Sequence, residues 1–438
     1  MEVPTLTNAS CVAIKPNART VHRRELRGSV RCANALLAGL EKAGLSLGNI
    51  NIDDLERKAV DRTGLQDFGD MQYREPLEKL LENVSRSPAL PLAKVSMKEQ
   101  ISQHLKNRLL IEDYLARHPE ITTIELDRPV FIVGLPRTGT TMVQNALSLS
   151  SECHSPEFWW LKYPVPSHPN LAKSKVERLR RGRLLASLNS FVAPEQASIH
   201  NTHARSLEEC WHLFFNRFTS LSYAFGCGLH DYGRWLLQHD MEPTYTEYGD
   251  QLKLMSAQFP GQRLVLKCVE HVWFLDSLFK VFPDARVVWT HRDPFDSVAS
   301  YASYISVFLR VMYGSCDQKK TGQFVEDLFS QGVTRAMAVR ETLGKEDQIL
   351  DVYCCDLVNK PVETIASISE KFDLPFQAND VGKLKSWLSS QRKDAAGNHR
   401  YVASDFGLNR QRTHTRFADY MDRFDVGSSS RGRGESLE

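Results

Sequence analysis

The sequence predicts an α/β protein: a parallel β-sheet flanked by helices, preceded by a helical N-terminal extension and interrupted by a long helical insertion. Three observations carry this. Short apolar runs at 129–133, 263–267, 285–290 and 349–353 read as buried strands, stretches of helical periodicity separate them, and glycine or charge ends most of the runs. Strands alternating with helices imply parallel pairing with both faces covered.

Residues 1–30 lack hydrophobic period and read as a loose arm, whereas 31–118 place apolar clusters at helical spacing, as in Leu77, Leu80 and Leu81, then Leu105, Leu109, Leu110 and Tyr114. We therefore divide the chain into a helical extension at 1–126, a main domain at 127–426 that contains a helical region at 153–260, and a disordered Gly/Ser/Arg-rich tail at 427–438. At 438 residues the chain exceeds one ordinary compact core, which fits a large domain with an extension.

The first strand, Pro129-Val-Phe-Ile-Val133, runs into Gly134-Leu-Pro-Arg137-Thr138-Gly139-Thr140-Thr141, and Met142, Val143, Ala146 and Leu147 follow at helical spacing. A strand, a glycine loop and a helix N-terminus in this order form a P-loop-like cradle, in which backbone N–H groups curl around a phosphate. The spacing from Gly134 to Gly139 matches the nucleotide-triphosphate loop, but Thr140 stands where that loop carries lysine. An ordinary ATPase is thereby disfavoured. The loop instead offers Arg137 and three threonine hydroxyls, a set suited to a 5′-phosphosulfate that needs no metal.

The strand 285–290 ends in His291-Arg292-Asp293-Pro294, with Asp293 as expected N-cap and Pro294 as first helical residue. Arg292 at the strand end and Ser300 two turns into the helix then face the ligand side of an open sheet, where they suit a second phosphate. Composition limits the alternatives. Fifty-five basic and 53 acidic residues leave a net charge of +2, too balanced for a nucleic-acid surface. No apolar run approaches the roughly 20 residues of a membrane span. Nine cysteines with neither a Cys-x-x-Cys pair nor Cys/His ligand spacing read as reduced thiols of a cytoplasmic protein with no metal site. The alternative location is an organelle, since the first 24 residues carry Lys15, Arg19, Arg23 and Arg24 against Glu2 alone.

Together these residues resemble the sulfotransferases dependent on 3′-phosphoadenosine-5′-phosphosulfate (PAPS), specifically their bacterial-type branch. The likeness rests on Pro136-Arg-Thr-Gly-Thr-Thr141, Leu266-Lys-Cys-Val-Glu-His271, Phe282-Pro-Asp-Ala285, His291-Arg-Asp-Pro294 with Ser300, and Asp405-Phe-Gly-Leu408, and spans about 129 to 426. Tyr353 to Leu357 is similar to a Tyr-Glu-Asp-Leu strand of that family, although Cys354-Cys355 departs from it. The resemblance implies sulfuryl transfer from PAPS to a hydroxyl of a small-molecule acceptor, leaving PAP. It implies that Arg137, Thr138, Gly139, Thr140 and Thr141 hold the 5′-phosphosulfate, that Arg292 and Ser300 hold the 3′-phosphate, and that Tyr353 approaches the adenine. Arg392, Lys393 and Arg400 form a basic segment able to close over that phosphate, or else a solvated loop.

Lys267 is the expected cation on the departing phosphate. The base is expected to be histidine, whose ordinary pKa of about 6.5 suits proton acceptance near neutrality. In the animal enzymes of the family it follows the lysine by two residues, but Val269 occupies that place here. His200, in Ile199-His-Asn-Thr-His-Ala-Arg-Ser-Leu-Glu-Glu-Cys210, is preferred over His271, with Glu208 and Glu209 as its support or simply as helix-start acids. The aromatics of 153–260, among them Phe158, Trp159, Trp160, Trp211, Phe214, Phe215, Phe218, Tyr223, Phe225, Tyr232 and Trp235, line an acceptor pocket or fill a core. The partners expected are the acceptor and, optionally, a second copy of the chain. Two competing readings are a small-molecule P-loop kinase and an inactive PAP/PAPS-binding protein.

Overall fold

The computed structural model describes residues 25–44, 51–198, 200, 202–394 and 401–427. Five strands, β1 (Val130–Gly134), β2 (Cys153–His154), β3 (Arg263–Lys267), β4 (Arg286–His291) and β5 (Ile349–Tyr353), form one sheet in the order β2-β3-β1-β4-β5. All neighbours are parallel. The four predicted runs are four of these strands. The fifth, β2, escaped prediction because two residues hold no period.

Every residue of β1 is buried, as an apolar strand between two helical layers must be. Its register sets Ile132 beside Lys267 and Gly134 beside Thr290, while His291 lies beside Tyr353. The chain leaves β1 toward β2 and β3 on one side and returns to β4 on the other. The loops after β1, β3, β4 and β5 consequently gather at one edge of the sheet, around the point where strand order reverses.

The helices Gly28–Lys42, Ile52–Thr63, Arg74–Arg86 and Pro91–Arg117 build the N-terminal part. Their buried residues Leu55, Leu77, Leu105 and Leu109 belong to the same apolar core as Phe131, Val133 and Trp289 of the sheet. Leu110, read from the sequence as part of the inward stripe, is exposed instead, one step around the helix from Leu109. Arg108, buried in this helix, donates to Glu247 Oε2 at 2.6 Å and to the carbonyls of Phe68 and Asn216, locking the extension to the helix Glu242–Gln258. No helix among the described residues is long and apolar enough to cross a membrane.

The 153–260 region is helical as expected over Phe158–Lys162, Leu171–Val192, Ser222–Cys227, His230–Leu236 and Glu242–Gln258. Trp159, Trp160, Phe214, Phe218 and Tyr232 are at most 1% exposed, so these aromatics are core rather than pocket wall. Near the C-terminus Phe417, Tyr420 and Phe424 are buried too, with Phe424 against Trp289 and Tyr420 against His291. The arm expected at 1–30 lies outside the described residues over 1–24 and is helical from Gly28, and the tail from 428 lies outside them as well.

Candidate active site

The loop after β1 turns on three residues in the left-handed region, Gly134 (φ 134°), Arg137 (φ 70°) and Gly139 (φ 100°). A Cβ on Gly134 would lie 2.5 Å from the Thr290 carbonyl oxygen of β4, so only glycine lets the loop pass the neighbouring strand. Thr138 is fully buried; its hydroxyl donates to the Leu135 carbonyl at 2.7 Å and meets Thr290 Oγ1 at 2.5 Å. The Thr138 side chain thus braces the loop from inside rather than facing a ligand, which corrects its assignment as a binding hydroxyl. Thr290, which no sequence signal marked, is its partner.

The helix Thr140–Leu147 starts at Gly139 with no side-chain cap, leaving its N-terminal dipole available to an anion. Thr140 is nearly buried, and Thr141 is exposed on the first turn. Arg137 crowns the loop. Arg292, one residue beyond β4, donates from Nη1 to the Arg137 carbonyl at 3.2 Å and pairs with Asp296 at 3.3 Å. The surrounding walls, and next the like charge of Arg292, lower the pKa of Arg137 although its side chain reaches solvent. Two guanidinium groups gathered in one cleft in this way fit a polyanionic ligand, which would relieve their repulsion.

Asp293 caps its helix as predicted, its Oδ1 accepting from Phe295 N at 2.8 Å, with Pro294 opening Pro294–Tyr313. His414 and Arg410 both hold its carboxylate. Ser300 lies buried in the second turn of that helix. Tyr353 closes β5 half-buried, its ring centroid 5.6 Å from that of His291. Arg400 lies outside the described residues, and the side chains of Arg392 and Lys393 are likewise undescribed.

Lys267 ends β3 and is 1% exposed. Its Nζ lies 3.2 Å from Thr141 Oγ1 of the phosphate loop and 3.2 Å from Glu209 Oε1. Glu209 Oε2 accepts from the Val269 N–H at 3.3 Å. The preceding residue, Glu208, takes the other direction: its Oε2 lies 2.8 Å from His200 Nε2 and its Oε1 3.0 Å away. Burial would raise the pKa of Glu208, but His200, Lys267 and Thr202 overcome it and hold the carboxyl below the usual range. An ionised Glu208 fixes Nε2–H of His200 as donor and leaves Nδ1 with the lone pair.

The two glutamates are therefore not helix-start acids. Glu209 is extended, makes no cap bond, and precedes only the short 3-10 stretch Cys210–Arg217. Successive residues of an extended chain point to opposite sides, which sends one carboxylate to the histidine and the other to the lysine. His271, the alternative base, is fully buried, with Nδ1 2.7 Å from Tyr245 Oη and Nε2 3.5 Å from Cys210 Sγ. Both ring nitrogens are occupied inside the core, which argues against that role.

Sequence reasoning passed over Tyr304, four residues beyond Ser300 on the same helical face. Burial first, then the charges of Glu208 and Glu209, raise its pKa, while Arg137 acts the other way. Tyr304 thus lies within electrostatic reach of Arg137 and of both glutamates. The one available signal was its i,i+4 spacing from Ser300.

A family model described as the sulfotransferase family matches residues 129–378. The structure resembles that of sulfotransferase STF1 from Mycobacterium tuberculosis H37Rv, with TM-score 0.74 and 28% identity over 84% of this chain and 99% of that one. It also resembles sulfotransferase STF9 from Mycobacterium avium, with TM-score 0.76 and 26% identity over 88% of this chain and 99% of that one. No curated protein sequence matches the chain.

Proposed function

The chain belongs to the sulfotransferase family, and from that premise we propose that it transfers a sulfuryl group from PAPS to a hydroxyl of a small-molecule acceptor, releasing PAP. The observation that carries this reading is the placement of Lys267 Nζ between Thr141 of the phosphate loop and Glu209, next in sequence to the Glu208 that orients His200.

The donor supplies an activated sulfur–oxygen bond; the rest is done by groups of the chain itself. Backbone N–H groups at the start of Thr140–Leu147 and the Arg137 guanidinium hold the 5′ end, and Arg292 with Ser300 holds the 3′-phosphate. His200 Nδ1 takes the proton of the acceptor hydroxyl as the new S–O bond forms, and Glu208 stabilises the imidazolium. Lys267 leaves its bond to Glu209 to neutralise the oxygen of the departing phosphate as the old bond breaks. Glu209 acts as a positioning residue that keeps this lysine aimed before substrate arrives. Lysine suits the task because its three donors rotate. Tyr304, half-buried on the same helical face as Ser300, is an aromatic available to an acceptor.

The test is an acceptor screen with labelled PAPS, read by the mass of the product, run beside thermal shifts. PAP without magnesium should raise the melting temperature, by the equivalent of about 2.7 kcal/mol at 100 times its dissociation constant. A larger shift by magnesium-ATP would favour a kinase instead. PAP binding with no sulfated product across the screen would favour an inactive binding protein.

A further inference from the structure

Behind the Lys267–Glu209 pair, three side chains able to bind a metal converge from two parts of the chain, Cys210 from one and Cys268 and His271 from the other. Cys210 follows Glu209, Cys268 follows Lys267, and His271 lies on the turn after β3. One ligand atom of each lies within 4.8 Å of the others, and all three residues are buried. From this geometry we propose a structural zinc site formed by Cys210 Sγ, Cys268 Sγ and His271 Nε2, with Tyr248 Oη as the fourth group.

Three features point to a metal rather than to packed thiols. The Cys210 Sγ to His271 Nε2 separation is 3.5 Å, and zinc bonds of about 2.3 Å to sulfur and about 2.05 Å to nitrogen give a tetrahedral edge of about 3.6 Å. That edge is formed before any ion enters. The other ring nitrogen of His271 is fixed by Tyr245 Oη at 2.7 Å, the outer contact that orients a metal-binding imidazole. Tyr248 Oη, buried beside Cys210, has no hydrogen-bond partner in proper geometry, so a polar atom faces the cluster unsatisfied.

Charge selects the ion. Phe131 and Phe214 pack edge-on against His271, so the site is apolar, and a net charge there would be costly. Two thiolates, a neutral imidazole and a phenol leave a divalent ion uncharged overall, whereas a monovalent soft ion would leave a buried anion. The ion would pin the segment carrying Glu209 to the end of β3, and so hold the catalytic lysine's partner in place. The site does not depend on which acceptor is used.

The test is metal analysis of the full chain, expressed with added zinc and dialysed. About one zinc per chain is expected, and refolding with cobalt should give sulfur-to-cobalt charge-transfer absorption. Cys268→Ser should lose the zinc and that absorption while PAP still raises the melting temperature. Tyr245→Phe, which keeps every ligand, should weaken zinc 10–100-fold. A wild-type chain without zinc that takes up no cobalt on refolding overturns the proposal, whether its thiols are then found free or joined as a disulfide. Zinc retained undiminished in Cys268→Ser overturns it as well.

Discussion

Lys267 Nζ lies 3.2 Å from Glu209 Oε1, an ion pair formed by the last residue of β3 and a residue 58 positions earlier in an extended segment. Neither residue is near the other in sequence, so the pair exists only because the segment before Cys210 is laid along the carboxyl end of the sheet. Lys267→Met should lower turnover about 10²–10³-fold at saturating donor, the range for one lost electrostatic contact to a transition state. Glu209→Gln, which still accepts from Val269 N–H, should lose less. Single-turnover rates with melting curves as control decide this. Activity of Lys267→Met within a few-fold of wild type would remove the lysine from the mechanism.

His200 and Glu208 predict a pH signature. Glu208 is held ionised by its neighbours, so acid inactivation arises when a proton occupies His200 Nδ1. The rate should fall toward low pH. His200→Ala should lose about 10²–10⁴-fold in kcat and also lose that acid limb. Glu208→Gln, which no longer fixes Nε2–H as the donor, should lower kcat less than His200→Ala does. An acid limb unchanged in His200→Ala would exclude this histidine as the base.

The two phosphate sites we propose would be joined through the Arg292 to Arg137 carbonyl bond, so Arg292→Ala should disturb both. Ser300→Ala is the cleaner probe, because its hydroxyl is assigned to the 3′-phosphate alone. It should weaken PAP by about 1 kcal/mol, roughly fivefold, and leave adenosine 5′-phosphosulfate unchanged. Titration calorimetry of both ligands measures the difference. Equal weakening of the two would refute the partition.

Asp351 on β5 predicts acid sensitivity of the fold itself. Burial would raise its pKa, but His291 at 2.9 Å and Arg340 at 2.7 Å bring it down to about 2. A carboxyl lowered on folding stabilises above its unfolded pKa of about 3.9 and loses that contribution as pH falls toward 2. The contribution is about 2 kcal/mol. Asp351→Asn should therefore destabilise at pH 7 and show a shallower loss between pH 4 and pH 2, as followed by denaturant unfolding. Identical pH slopes in the two proteins would rule the pair out as the cause.

Much of this was written locally. The run Val130–Gly134 is apolar at every position because both faces of a central parallel strand are covered, and Asp293-Pro294 marks a helix start wherever it occurs. Thr140 in place of a lysine and Arg292 after β4 likewise needed only spacing along one strand–loop–helix unit. By itself, then, the sequence determined four of the five strands, the glycine loop after the first of them, and the identity of Lys267 and His200 as candidates.

The tertiary structure decided what those residues do to one another. It turned the Thr138 hydroxyl inward against Thr290, buried His271, and split Glu208 and Glu209 between a histidine and a lysine. It also gathered Cys210, Cys268 and His271 into one cluster that linear spacing hides. The physical reason is range. Backbone propensity and periodicity act over a few residues, whereas the direction of the Thr138 hydroxyl, the Glu209 partner of Lys267 and the closeness of Cys210 to Cys268 depend on contacts between residues 58 to 152 positions apart, fixed only when the parallel sheet closes its register.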